Sequence, residues 1–401
     1  MNFGFSPEDD SFRAEVRSFI RAHLPADIAL DVHHWYNPKL ANFRRWQRIL
    51  SERGWGAPHW PKEYGGSDWS PVRKHIFMQE IYAADAPDAG WQGLFMLAPV
   101  LIEFGAPEQR ARFLPPILRG EELWCQGFSE PGAGSDLASL KTSATLEGDE
   151  YVITGQKIWT SDAAHCDWGF FLVRTDPTVK PQRGLSFILV PRNAPGLTFR
   201  PIHSIDARTE LNEVFLDRVR VPRANIVGQP GMGWTYAKYL LEKERTASAF
   251  LYFNQRQFAR ARSIASQIRV GGVRLIDTPV FAQKLARVEA DLMALEWSVL
   301  RILAGEKNRH NLDAVISALK IRGSEMQQRV TDLQVEALGP LATRRYEDAV
   351  VPGDAPSEGP VWPPFTLGPA NLFLHTRAAT IYGGSREIQK NIIAKLVFGG
   401  T

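Results

Sequence analysis

The side chains best suited to chemistry stand between positions 124 and 161. Trp159 and Ser161 alternate along KIWTS (157–161). Because side chains on a strand alternate with a period of two, the indole and the hydroxyl face the same side. Such a pair can cover one side of a flat ring system and hydrogen-bond to its edge. The pattern equally suits an aromatic core residue beside a buried hydroxyl, so both interpretations stay open.

A glycine-rich turn, EPGAGSD (130–136), precedes this strand. The turn does not match a dinucleotide-binding fingerprint, because Leu137 stands where the third glycine would be and a strand pattern follows. Two interpretations remain: a plain tight turn between strands, or a turn that contacts a ligand.

A carboxylate interrupts an apolar helix face later in the chain. The spacing predicts a helix over 234–268, with about 100° between successive residues. An acidic side chain on an apolar face either pairs with a buried cation or has a function, which makes Glu244 a candidate general base. The predicted apolar stripe comprises Tyr236, Leu240, Glu244, Ala247 and Leu251, and the opposite face carries Lys238, Glu242, Arg245 and Ala249.

Four motifs occur in a characteristic order: EPGAGSD (130–136), GQKIWTS (155–161), DRVRVPRANIVGQPGMGW (217–234) and YGGSREIQKNIIA (382–394). With them the chain resembles the acyl-CoA dehydrogenase family over essentially its whole length. The resemblance implies an FAD-dependent enzyme that oxidises an acyl-CoA thioester to the trans-2-enoyl-CoA. It also implies an electron-transfer flavoprotein as the acceptor.

Three groups of elements must position these motifs. The order predicts an α+β multidomain fold with an N-terminal α-helical domain (1–122), a middle antiparallel β-domain (123–228) and a C-terminal four-helix bundle (229–401). Ser6, followed by Pro7 and acidic residues, is a predicted N-cap. Strands are predicted at 151–154, 157–161, 168–173, 185–190 and 213–216, helices at 234–268, 279–306, 311–338 and 371–397, and a proline-rich loop at 344–369.

The resemblance also implies roles for single residues. Trp159 is expected to cover the isoalloxazine, Ser161 to reach its N5, and Ser135 to contact the acyl-CoA. Arg245, Tyr382 and Gly383 are expected near the acyl group. The remaining cofactor contacts are expected from Gln126, Phe128 and Ser129 at the pyrimidine edge, and from Arg269, Glu336, Ser385 and Glu387.

One departure from the family pattern concerns the catalytic base. The family's commonest glutamate position directly follows the tyrosine of the C-terminal motif, and here that position is Gly383. Some branches place the base on the first long C-terminal helix, just before an arginine, which corresponds to Glu244. Glu387 on the last helix is the alternative base, although its aligned position faces the cofactor. The small Gly383 also predicts a branched or bulky acyl group, such as a sterol side chain or ring fragment.

A second departure concerns assembly. In RVGGVRLIDTPVF, Arg269 is kept, but Gly271 and Gly272 replace the bulky part, and Glu336 replaces a family glutamine. Either the chain forms a heterotetramer with a homologous subunit, or it forms an altered homo-oligomer. Three further alternatives stay open: a non-catalytic partner subunit, a dehydrogenase acting on a carrier-protein-bound acyl or aminoacyl group, and an oxidase that uses O₂.

Composition excludes several other classes of protein. Among 401 residues, 47 Lys and Arg stand against 44 Asp and Glu, an excess of +3 that is too small to indicate nucleic-acid binding. Cys125 and Cys166, far apart in sequence, indicate neither a disulfide framework nor a zinc site, and no metal is expected. The sequence lacks an apolar run of roughly 18 residues that would span a membrane. With an acidic start and no S-K-L ending, a cytoplasmic location is expected.

Overall fold

The computed structural model describes residues 5–34, 38–88, 91–243, 249–303, 312–343 and 363–399. Helices form its first part. They are α1 (Pro7–His23), α2 (Ala26–His34), α3 (Leu40–Glu52), α4 (Pro71–Ala83), a π-helix (Trp91–Leu97), α5 (Ala98–Phe104) and α6 (Pro107–Leu118). Ser6 caps α1 as predicted, since its hydroxyl accepts a hydrogen bond from the Asp9 amide at 3.1 Å.

A seven-stranded sheet follows. Its strands are β1 (Trp124–Gly127), β2 (Ser143–Glu147), β3 (Glu150–Ser161), β4 (Trp168–Arg174), β5 (Leu185–Pro191), β6 (Leu197–Ile202) and β7 (Leu211–Pro222). The order is β1-β4-β2-β3-β7-β6, with β5 also paired to β4. Most pairs are antiparallel as predicted, but β1 and β2 both run parallel to β4. The sequence patterns missed β1, β2 and β6.

Helices return after the sheet. They are α7 (Gly233–Lys243), α8 (Leu251–Gln267), α9 (Pro279–Leu303), α10 (Leu312–Leu338), α11 (Pro369–Thr376) and α12 (Arg386–Phe398), with a small hairpin of β8 (Arg269–Val270) and β9 (Val273–Arg274) after α8. The predicted three-layer architecture of helices, sheet and helices is confirmed.

The prediction of one helix over 234–268 is wrong. Phe250 has a left-handed φ of +49° and α8 begins only at Leu251, so the rotation of 100° per residue does not carry from Tyr236 to Leu251. Ala249, expected on the charged face, is fully buried. Tyr236 and Leu240 are buried as expected and join a core shared with β4 and β5.

The prediction of one helix over 371–397 is also wrong. α11 ends at Thr376 and α12 begins at Arg386. Between them, Gly383 and Gly384 have φ values of +63° and +86°, which favour glycine and break the helix. The C-terminal motif therefore begins on this turn and continues into α12.

Candidate active site

A β-bulge in β3 turns Trp159 outward. Lys157 pairs with Val214 and Thr160 with Asn212, so two residues of β3 oppose one residue of β7. Trp159 takes up the extra length with a φ of +61°, which is unfavourable for a bulky side chain. Its side chain is 58% exposed, whereas Thr160 is 1% exposed. The sheet thus holds an indole away from the core at a conformational cost, which is typical of functional sites.

The end of β1 lies beside this bulge. The Ile158 amide donates to the Ser129 carbonyl at 2.9 Å, so Ser129, Trp159 and Ser161 lie in one region of the molecule. Gln126 is half-buried and lies on β1, close in sequence to Ser129, so it belongs to the same region. The Phe128 ring, however, packs edge-on against Phe170 and Phe187 in the core. Only the backbone of Phe128 is therefore placed to contact a ligand.

A buried ion pair ties the glycine-rich turn to β3. Lys157 Nζ donates to Glu130 Oε1 at 2.8 Å and to the Phe128 carbonyl at 3.1 Å. Glu130 also accepts hydrogen bonds from the Lys141 and Thr142 amides at 2.6 and 2.9 Å. Burial lowers the pKa of Lys157 to about 8, while attraction to Glu130 opposes that shift. The pair fixes the turn and the bulge against each other.

The turn itself presents an open surface. The Glu130 and Ala133 backbones bond each other at 2.9 and 3.0 Å, which closes the loop. A Cβ at Gly132 or Gly134 would meet nothing within 4 Å, so these glycines do not serve close packing. Ser135 is exposed on this loop.

The C-terminal motif lies against α10. Lys320 is buried and its Nζ donates to the Ala379 carbonyl at 2.9 Å, while the Tyr382 hydroxyl donates to Gln327 Oε1 at 3.3 Å. A Cβ at Gly383 would lie 3.9 Å from Lys320 Nζ. In the part of the chain that the structure describes, the Gly383 amide has no hydrogen-bond acceptor. That amide is available to a carbonyl oxygen of a ligand.

A buried contact between Asp206 and α11 connects the sheet to the bundle. His375 Nδ1 lies 2.9 Å from Asp206 Oδ2, and Asn371 donates to the Asp206 carbonyl at 2.8 Å. Burial raises the pKa of Asp206, but hydrogen bonds with His375 and Ser204 outweigh it and lower that pKa to about 2. This contact holds α11, and with it the start of the C-terminal motif, on the β-domain.

Ser385 and Glu387 lie at the start of α12. The Ser385 hydroxyl caps the helix by accepting from the Ile388 amide at 3.3 Å, and Glu387 is exposed and paired with Arg386. Hydrogen bonding within the first turn and with Arg386 lowers the pKa of Glu387. The carboxylate is thus ionised and solvated.

Arg269 and Glu336 lie apart from this region. Arg269 is exposed on the hairpin after α8 and donates to the Gly272 carbonyl at 3.0 Å. Glu336, on α10, forms an exposed ion pair with Lys284. Within this single chain, these two residues do not join the residues around Trp159.

Glu244 and Arg245 lie outside the described residues. The described chain stops at Lys243 on α7 and resumes at Ala249, whose backbone packs against Gly323 of α10. A Cβ at Gly323 would lie 2.1 Å from the Ala249 carbonyl oxygen, so glycine is required there. Gly323 is one turn of α10 from Lys320, close to the C-terminal motif.

Sequence reasoning missed Glu130, Lys157, Lys320, Asp206 and His375 as parts of the site. Glu130 and Lys157 are both part of motifs named above. A charged residue among strand-forming residues was the signal that could have indicated a buried ion pair. Among the described residues, no cluster of His, Cys, Asp or Glu could hold a metal. No described helix is long and apolar enough to cross a membrane.

Three family models match the chain in succession. They are the N-terminal domain of acyl-CoA dehydrogenase over residues 6–121, the middle domain over 125–219 and the C-terminal domain over 231–398. Together they span most of the chain.

Individual proteins agree with these models. The acyl-CoA dehydrogenase IpdE1 of Mycobacterium tuberculosis is 36% identical over 398 residues, with 97% of each chain covered. The ChsE4-ChsE5 complex from Mycobacterium tuberculosis is similar in structure, with a TM-score of 0.83, 30% identity and full coverage of both chains. A structure described as the Tcur3481-Tcur3483 steroid ACAD gives a TM-score of 0.85 at 29% identity, again over both full chains. The chain therefore belongs to the acyl-CoA dehydrogenase family.

Proposed function

We propose that this chain is an FAD-dependent dehydrogenase that introduces a trans double bond between the α- and β-carbons of a bulky acyl-CoA. The observation that carries the proposal is the outward-facing Trp159 on its strained bulge. An exposed indole beside the Ser161 hydroxyl fits one face and the edge of an isoalloxazine. Bound FAD would accept the hydride from the β-carbon.

Residues of the chain perform the remaining steps in this proposal. The Gly383 amide donates a hydrogen bond to the thioester carbonyl oxygen, which acidifies the α-carbon. Glu244 removes the α-proton as general base. Trp159, Ser161, Ser129, Gln126 and the Phe128 backbone hold the flavin, and Ser135, Arg245 and Tyr382 line the path of the acyl-CoA.

Anaerobic titration of the purified protein with CoA thioesters tests this function. We expect bleaching of the flavin absorbance by a steroid-side-chain thioester and weaker bleaching by butyryl-CoA. Glu244→Gln is expected to keep flavin and abolish bleaching, whereas the control Glu242→Gln, on the predicted solvated face, keeps both. Full turnover by Glu244→Gln would remove Glu244 from the role, and better turnover of butyryl-CoA would contradict the bulky substrate.

A bulky steroid substrate is supported by the similarity to a structure described as a steroid ACAD. The glycine at 383 also leaves room, since the nearest atom to a Cβ there is 3.8 Å away. The electron acceptor in this proposal is an electron-transfer flavoprotein. A carrier-protein thioester tested beside the CoA thioester, with and without oxygen, separates the carrier-bound and oxidase alternatives.

Assembly with a homologous subunit is the second part of the proposal. Similar solved structures are described as pairs of differently named chains. Arg269 and Glu336 lie apart from the flavin region of their own chain, as expected if they act across an interface. Exposed apolar side chains on two helices of the bundle offer contact area. They are Val280, Met293 and Trp297 on α9, and Ile392, Val397 and Phe398 on α12.

Mass photometry of the chain, expressed alone and with a homologous subunit, tests the assembly. We expect full flavin content, read from the visible absorbance of each sample, only for the co-expressed protein. A fully flavinated homotetramer of this chain alone would overturn the heteromer. Absence of flavin bleaching in both samples would favour a non-catalytic subunit.

A further inference from the structure

A cleft lies between the N-terminal helices and the bundle. Its volume is about 540 Å³, within the roughly 300–1,000 Å³ common for small-molecule sites. Among the predicted flavin and thioester residues that the structure describes, none lines this cleft. Its lining includes Arg13, Tyr82 and Asp85 on the N-terminal side and Tyr252, Arg256 and Arg260 on α8.

Arg256 is the unusual side chain in this cleft. Only 9% of the side chain is exposed, and Asp85 Oδ1, a carboxylate oxygen, lies 3.8 Å from its Nε, beyond hydrogen-bond distance. The guanidinium lies over the rings of Tyr82 and Phe253 at 4.9 and 5.8 Å. Within the described residues, Arg256 donates no hydrogen bond and its Nε is buried without an acceptor.

The neighbouring charged groups each have hydrogen-bond partners, although the Arg260 Nε is also buried without an acceptor. Arg13 donates to Glu80 at 3.0 Å and to Gln79 at 3.1 Å. Arg260 donates to the His33 carbonyl at 2.7 Å and to the Leu367 carbonyl. Asp85 Oδ2 lies 2.8 Å from His33 Nδ1. Arg256 differs from them because none of its nitrogens donates a hydrogen bond within the described chain, and stacking on rings does not satisfy its N–H donors.

Charge indicates the class of ligand. The described lining contains three arginines (Arg13, Arg256 and Arg260) against two carboxylates (Glu80 and Asp85), so arginines outnumber carboxylates by one. A guanidinium fork matches the two oxygens of a carboxylate. The rings of Tyr82, Tyr252 and Phe365 supply flat apolar surface around it.

We propose that this cleft binds a small monocarboxylate with an apolar body, its carboxylate on Arg256 and its body among the aromatic rings. None of the described residues assigned to the dehydrogenase chemistry lines this cleft, and failure of this proposal would leave that chemistry untouched.

Isothermal titration of the full chain with benzoate tests the site, with benzamide as the neutral molecule of the same shape and inorganic phosphate as the other oxyanion. We expect saturable binding of one benzoate per chain. Benzamide binding and benzoate binding to Arg256→Met are both expected to be at least about tenfold weaker, because each loses charge-assisted hydrogen bonds. Arg262→Met, on an exposed arginine of the same helix that pairs with Glu289, should bind benzoate as the unmodified chain does.

Three results would overturn the proposal: no saturable benzoate binding, equal binding of benzamide, or binding of phosphate without benzoate. If Arg256→Met does not fold, Arg256→Lys keeps the charge but loses the fork, and we expect weakened, not abolished, benzoate binding. If Arg256→Lys binds benzoate as tightly as the unmodified chain does, and binds benzamide as tightly as benzoate, the assignment is likewise contradicted.

Discussion

Replacing Lys157 by Met should destabilise the β-domain strongly, although the two side chains have similar length. Lys157 is fully buried and the Glu130 side chain is 8% exposed. The substitution removes both hydrogen bonds of the ammonium and leaves a buried carboxylate with only the Lys141 and Thr142 amides as partners. Breaking one side of a buried pair costs about 3–5 kcal/mol.

Thermal and urea unfolding followed by circular dichroism measure this cost. A loss of 3 kcal/mol corresponds to a fall in Tm of roughly 6–12 °C for a domain of moderate size. Lys284→Met is the matched control, because Lys284 and Glu336 form a pair in which both side chains are about half exposed. Such a pair contributes about 0–1 kcal/mol. Equal effects of the two substitutions would refute the reasoning that burial makes the Lys157 pair important.

Three further substitutions test other parts of the structure. Burial and the nearby Glu210 raise the pKa of Asp162 to about 6, so its contribution to stability falls as pH rises from about 4 to 6. Asp162→Asn should therefore raise Tm at pH 7.5 and change it little at pH 4, and the reverse order would contradict that pKa shift. Gly127→Ala should cost about 3 kcal/mol or more in urea unfolding, because its Cβ would lie 2.1 Å from the Phe171 ring; the control Gly132→Ala meets nothing within 4 Å and should be nearly neutral. Gly383→Ala should cost about 1 kcal/mol at its φ of +63°, and an unchanged Tm would refute the left-handed conformation.

Much of the fold could be predicted because hydrophobic spacing is local. The helices of the first layer and the strands around Phe171 and Ile188 follow directly from apolar periodicity. The strand β2 escaped prediction because only Ala144 of its five residues is buried, so it lacks an alternating apolar pattern. The helix break before α8 escaped it because Phe250 is not a residue type that favours a left-handed φ.

The site was harder to predict because one bulge changes the facing of every residue before it. Counting by two from Trp159 places Lys157 on the same exposed side. The extra residue in β3 instead turns Lys157 into the core, where it meets Glu130. Trp159 lies in the bulge and Ser161 after it, and both stay predicted site residues, whereas the buried pair beside them could be found only from the tertiary structure.

Position 383 carries glycine where the family most often has its catalytic glutamate. Moving the proposed base from 244 to 383 tests whether this position faces the α-carbon. A Cβ at Gly383 meets no atom closer than 3.8 Å, so a side chain can begin there, beside the amide that we propose binds the thioester oxygen. The left-handed φ of +63° sets a cost of about 1–2 kcal/mol, which is small beside the stability of a typical protein. Lys320 Nζ, 3.9 Å from that Cβ, would keep an introduced carboxylate ionised.

Adding Gly383→Glu to Glu244→Gln should therefore restore part of the turnover, at least about tenfold above Glu244→Gln alone, since general-base catalysis contributes about 10²–10⁴-fold. The matched control adds Gly383→Gln, which has the same size but no basicity. Turnover is followed with an artificial electron acceptor and butyryl-CoA, because the added side chain fills space that we assign to a bulky acyl group. Equal activity of the Glu and Gln double variants, both fully flavinated, would show that position 383 does not face the α-carbon. The proposed role of the Gly383 amide would fall with it.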